Sequence, residues 1–179
     1  MRILFLLIFN ALQVMFRKCR YGKRYQCSLV QRISPNSSLK LFDTAQVRIG
    51  QNIQIESMCD IQVHHDGLLE IGDRTYFNHF CMVSVHEKVS IGKNCMFGPG
   101  VRIFDNNHRF SKEKGVSSDL TTGEIVIGDN CWIASNVIIL KGVHIGSNCV
   151  IGAGCIVNRD IPSGSLVKNS SCLTIEELR

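Results

Sequence analysis

A chain of 179 residues with 45% hydrophobic content is expected to form one domain with an ordered core and no second. Its net charge of +5 does not describe a nucleic-acid-binding domain, because seven of the twenty basic residues fall in residues 1–32, which hold no acidic residue, and the rest carries thirteen basic against fifteen acidic residues. Nine cysteines without a CxxC pair argue against a zinc or dithiol site and for a reducing, cytoplasmic compartment.

Residues 1–32 are expected to form a helical arm. The fourteen residues Ile3 to Phe16 are apolar apart from Asn10 and Gln13, and Arg17, Lys18, Arg20, Lys23 and Arg24 follow. A bilayer span needs about 20 apolar residues. No small-residue cleavage site follows either, so neither a spanning helix nor a removed leader is expected. Two readings stay open: a helix that caps the end of the domain, or one lying in the membrane interface, with peripheral contact through residues 1–24 and its basic residues at anionic headgroups.

Residues 33–166 carry a repeat. Ile127, Ile133, Ile139, Ile145, Ile151 and Val157 recur every six positions, and Cys131, Val137, Val143, Cys149, Cys155 and Ile161 follow four places later. Gly, Asn, Asp, Ser and Lys fill the intervening positions, so the chain turns every six residues. Three such units close a triangular coil of eighteen residues, and the ladders become its dry interior. The phase extends back through Ile91, Phe97 and Ile103, through Ile71, Phe77 and Val83, and through Ile49, Ile55 and Ile61. The expected fold is all-β, a three-sided parallel helix of short strands. Six of the cysteines occupy the small inward position and read as core filling.

The spacing from Ile49 to Ile71 implies a bulge of four residues, holding His64 and His65, and that from Ile71 to Ile91 a bulge of two, holding His86. With His79 and His144 these histidines read as surface residues. The ladder breaks after Ile103 and resumes at Ile125, which makes residues 105–124 a projecting loop on a rigid scaffold. That loop carries His108. An imidazole, with an ordinary pKa of about 6.5, suits a general base in such a place. Trp132 is the single Trp and points outward, which favours an interface or ligand contact. Residues 167–179 form a C-terminal tail.

The segment IVIGDNCWIASNVIILKGVHIGSNCVIGAGCIVNRDIP (residues 125–162), with VRIFDNNH (residues 101–108) upstream, resembles the hexapeptide-repeat acyltransferases. Within them it is most similar to the branch of galactoside, maltose, nodulation-factor and virginiamycin acetyltransferases and the capsule and lipopolysaccharide O-acetyltransferases. The resemblance covers residues 47–162 and implies a left-handed β-helix, acetyl-CoA as acyl donor, no metal, and a homotrimer with active sites between subunits. It implies His108 as the catalytic base. Asn78, and Asp105 at the opening of the loop, are expected to contact the acceptor. On the donor side it implies Trp132 along the pantetheine arm, Ser135 and Ala153 lining the groove through their main chain, and Asn158 and Arg159 near the nucleotide phosphates. An exposed Arg159 is as readily only solvated. The family's Gly-x-Pro-Ala-Lys-like segment is replaced by VKNSSCL (residues 167–173), so Lys168 is expected to take over phosphate contact.

The expected activity is O-acetylation of a sugar hydroxyl, in a bacterial surface polysaccharide or its precursor. A soluble sugar, amino sugar or antibiotic acceptor and a non-catalytic scaffold are the alternatives. The γ-type carbonic anhydrases share the fold but need two histidines five residues apart, a pair absent from this sequence.

Overall fold

The computed structural model describes residues 2–169. It opens with helix α1, Arg2–Tyr21. From Tyr25 onward the chain winds as a three-sided prism whose faces are parallel sheets of six, seven and six strands.

The ladder stacks in register. Val89 pairs with Ile125 on the first face, Phe97 with Phe77 and Ile133 on the second, and Ile103 with Val83 and Ile139 on the third. These side chains are 0–1% exposed. Phe77 and Phe97 lie ring on ring inside the second face, centroids 4.5 Å apart. The six ladder cysteines are buried free thiols. Five of them donate to a carbonyl of the next coil, as Cys131 does to Gly146 at 3.1 Å. They fill the small position without leaving the polar sulfur unpaired.

Turns repeat as regularly as the ladder. Asn94, Asn130 and Asn148 stand one above another at the corner joining the first face to the second, each at φ between 56° and 60°. Their side-chain amides hydrogen-bond in a column, Asn94 to Asn130 at 3.0 Å and Asn130 to Asn148 at 3.1 Å. Asn enters the left-handed region at lower cost than other side chains, and here its side chain also ties the coils together.

The prism begins earlier than the boundary expected at residue 33. Tyr25–Cys27 already pairs with Gln46–Ile49, and Arg32–Ile33 with Gln54–Ile55. Gln31, fully buried, occupies this coil's small inward position; it donates to the Gly50 carbonyl at 2.7 Å and accepts from the Ile53 amide at 2.8 Å. Helix α1 packs on these first strands, with Val14 in the core. Capping, one of the two readings of the arm, is therefore what α1 does.

One further difference concerns the loop. The projecting loop is an antiparallel hairpin, Asn106–Ser111 with Gly115–Thr122. Of the expected tail, residues 170–179 lie outside the described residues.

Candidate functional site

Every expected site residue other than Trp132 sits at or beside one of two corners. The second corner joins the second face to the third and carries Asn78, Ser135, Ala153 and Lys168. The third corner joins the third face to the first and carries Asp105, the hairpin with His108, Asn158 and Arg159. Trp132 stands on the second face, half exposed, in register with Met96 below and Val150 above. Within one chain a full strand of the third face separates His108's corner from that of Asn78 and Ser135. A single copy does not bring His108 together with Asn78, Ser135 and Ala153.

At the third corner the hairpin root is fixed by Asp105. Expected to meet the acceptor, its carboxylate is instead fully buried. It accepts from the amides of His86 (2.8 and 3.0 Å) and Glu87 (2.8 Å) and from the Asn106 side chain at 3.2 Å. A buried carboxylate must be met by donors, and these amides saturate it, so Asp105 anchors the hairpin to the coil beneath and has no face left for a substrate.

His108 follows three residues on, exposed, beside a register shift between His108 and Phe110 that re-aims the strand. Its Nδ1 lies 3.1 Å from the Ser117 carbonyl oxygen. A carbonyl only accepts, so Nδ1 carries the proton and Nε2 presents a lone pair outward. That is the tautomer a general base needs.

Beneath the hairpin lies a column of rings. The rings of Phe42, His64 and His86 stack along the third corner, 4.7 and 4.4 Å between centroids and within 9° of parallel. Burial, with further lowering by neighbouring histidines, pushes the His64 and His86 imidazoles below their ordinary pKa, while Asp105 pulls the other way. His108 is close enough for its charge to be felt at His86. The missed signal was the two bulges of four and two residues, which place His64 and His86 at the same corner.

At the C-terminal end, Asn158, Arg159 and Lys168 line one depression of about 400 Å³ with Gly154, Ile156 and Asn169. Two cationic side chains thus line one depression from either side of the last strand of the third face, a setting suited to phosphates. Ser135 comes close to the coil below because Gly98 has no side chain: a Cβ there would stand 2.7 Å from the Ser135 amide nitrogen. Asn78 spends its Oδ1 on the His79 amide and keeps its side-chain nitrogen for other partners. A larger depression, about 1230 Å³ and wide open, follows the column of Gly50, Gly72, Gly92 and Gly128 at the first corner, away from all these residues.

The outward faces differ. The first is charged, with Arg48 to Glu70 at 2.9 Å and Lys88 to Glu124 at 2.8 Å. The second presents Tyr76, Met96, Trp132, Val150 and Leu166 in register, and Ile156 continues the apolar surface past the second corner. Phe110 and Val116 are 81% and 72% exposed on the hairpin.

The signature of the bacterial transferase hexapeptide family, in six repeats, matches residues 124–159. A putative acetyltransferase of Saccharomyces cerevisiae is 37% identical over 108 residues, 60% of this chain and 55% of that protein. The galactoside O-acetyltransferase of Escherichia coli is 32% identical over 130 residues, 73% of this chain and 63% of that one. The chain thus spans between half and two thirds of these relatives' length. Among solved structures, a hexapeptide-repeat acetyltransferase of Vibrio cholerae complexed with acetyl coenzyme A has a TM-score of 0.53 at 20% identity, over 90% of this chain and 79% of that one, a likeness of fold.

Proposed function

From its likeness to the hexapeptide-repeat acyltransferases, we propose that the chain moves an acetyl group from acetyl-CoA to a sugar hydroxyl, of a bacterial surface polysaccharide or its precursor. The His108 tautomer carries this reading. Nε2 takes the proton of the acceptor hydroxyl as that oxygen attacks the thioester carbonyl carbon. The tetrahedral oxyanion collapses with cleavage of the carbon–sulfur bond, and the imidazolium returns its proton to the departing CoA thiolate, leaving an acetyl ester. Stacked coils offer rows of fixed amides for such an oxyanion.

The donor lies along the second face and corner in this reading, against Trp132 and the main chain at Ser135 and Ala153. Its phosphates reach the depression lined by Asn158, Arg159 and Lys168. The acceptor enters from the opposite end, between Asn78 and the imidazole edges of His64 and His86, whose nitrogens suit hydroxyl groups. Since base and groove occupy different corners, the working unit is a homotrimer in which the hairpin of one copy lies against the apolar second face of the next. Relatives named for galactoside acetylation support a sugar acceptor. Acetyl-CoA places the reaction in the cytoplasm, with peripheral membrane contact through residues 1–24.

CoA release from acetyl-CoA, followed against a panel of methyl glycosides and polysaccharide fragments, tests the reading. His108→Ala is expected to lower kcat by about a hundredfold or more with acetyl-CoA affinity unchanged. Full turnover by that variant removes His108 from the reaction.

A further inference from the structure

Helix α1 has two sides fit for contact, and the prism uses one. Val14 and Asn10, 2% and 3% exposed, lie on the seated side. At 100° per residue, Leu4, Phe5, Ile8, Leu12, Met15 and Phe16 fall within an arc of about 120° almost opposite to it. These six are between 48% and 71% exposed. A stripe of that size left in water is a docking surface.

Its flanks say what it docks on. Lys18 and Arg20 sit just outside the two margins of the stripe by the same geometry, and Lys23 and Arg24 follow. No acidic residue occurs anywhere in residues 1–42. A second copy of the helix would bring one basic flank against another with no carboxylate on either to pair it, whereas an anionic surface matches both the stripe and its margins. No helix among the described residues is long and apolar enough to cross a membrane. We propose that α1 docks the protein, by this stripe, on the surface of an anionic lipid bilayer and lies in the plane of the interface. The apolar side chains enter the acyl boundary while the lysine and arginine stems reach back to the headgroups.

The capping side stays seated throughout, so docking and folding use separate residues. Co-sedimentation of the full-length protein with phosphatidylcholine vesicles, with and without phosphatidylglycerol, tests the proposal. Binding is expected on the anionic vesicles, weakened by salt. The double variant Phe5→Ser, Phe16→Ser is expected to lose about tenfold or more in binding while its urea midpoint stays within error, since both rings are exposed in the free protein. The double variant Lys18→Glu, Arg20→Glu is expected to lose binding and its salt dependence together.

Three outcomes would overturn the proposal: wild-type protein left in the supernatant with anionic vesicles, serine variants that bind as wild type does, or serine variants whose assembly mass in sedimentation velocity drops without any change in vesicle binding. The last would identify a second copy as the occupant. CoA release with a soluble methyl glycoside, measured on the same preparations, keeps this proposal separate from the acyl-transfer reading: loss of docking with turnover intact leaves that reading standing, and the reverse leaves docking standing.

Discussion

The imidazole of His108 is held by one hydrogen bond to the Ser117 carbonyl, on an otherwise exposed hairpin whose root is clamped by the buried carboxylate of Asp105. Positioning is divided between two residues, one setting the tautomer and the other the place from which the strand departs. The stacked imidazoles of His64 and His86 add a pH dependence. Their folded-state pKa values lie below the ordinary imidazole value, so below about pH 6.5 the unfolded chain binds protons more readily than the folded one. Their contribution to stability is intact above that pH and shrinks as pH falls, although Asp43 and Asp105 offset part of it. The drop in Tm between pH 7 and pH 5 is therefore expected to be smaller in the double variant His64→Gln, His86→Gln than in the wild type, by calorimetry at both pH values; equal drops would mean that the stack tolerates protonation.

At the scale of the element, the asparagine column shows how a turn is secured. Asn130→Val forces a β-branched side chain into the left-handed region, at about 1–2 kcal/mol, and also breaks two exposed amide bonds. Asn130→Gly loses only the bonds. Denaturant melts should put the valine variant below the glycine variant by about that strain, with equal m-values. The same regularity explains what the sequence made legible. From Ile49 onward each inward position of the six-residue ladder is aliphatic, aromatic, Cys or Thr, so most coils could be counted across their unequal joins. The first coil was hidden because its small position is Gln31, which looks polar and unfit for a core until its amide is seen bridging Gly50 and Ile53. The hairpin was hidden because both strands face water and carry no alternation of apolar and polar residues. The ring column was hidden because stacking across coils leaves no periodic trace when the bulges differ in length. Asp105 was misassigned because an acidic residue beside a loop histidine looks like a ligand, whereas its burial is a property of the packed coil.

For the whole molecule, the decisive geometry is that His108 stands at the third corner of the prism and Trp132 on its second face. If the site forms between copies, inactive chains can repair one another. Co-refolding equal amounts of His108→Ala and Trp132→Ala chains gives mixed trimers in which one of three clefts holds both native residues. Activity at limiting acetyl-CoA should return to about a quarter of the wild-type value under random mixing. Recovery no better than the sum of the parents would place both residues in the same chain's site. Size-exclusion chromatography with light scattering gives the complementary reading, three chains per particle.

Asn10 of α1 bonds to the first strand of the second face. Its side-chain amide donates to the Ile33 carbonyl at 3.1 Å and accepts from the Ile33 amide at 3.3 Å, copying the bonds that a neighbouring strand would make. A column of parallel strands is otherwise open to growth, since its terminal rung offers the same template that an amyloid tip does. By occupying that rung on the second face, α1 is expected to block such growth. Cutting the chain just before Tyr25 should free the tip, and electron micrographs of the truncated protein should show filaments growing from the exposed end.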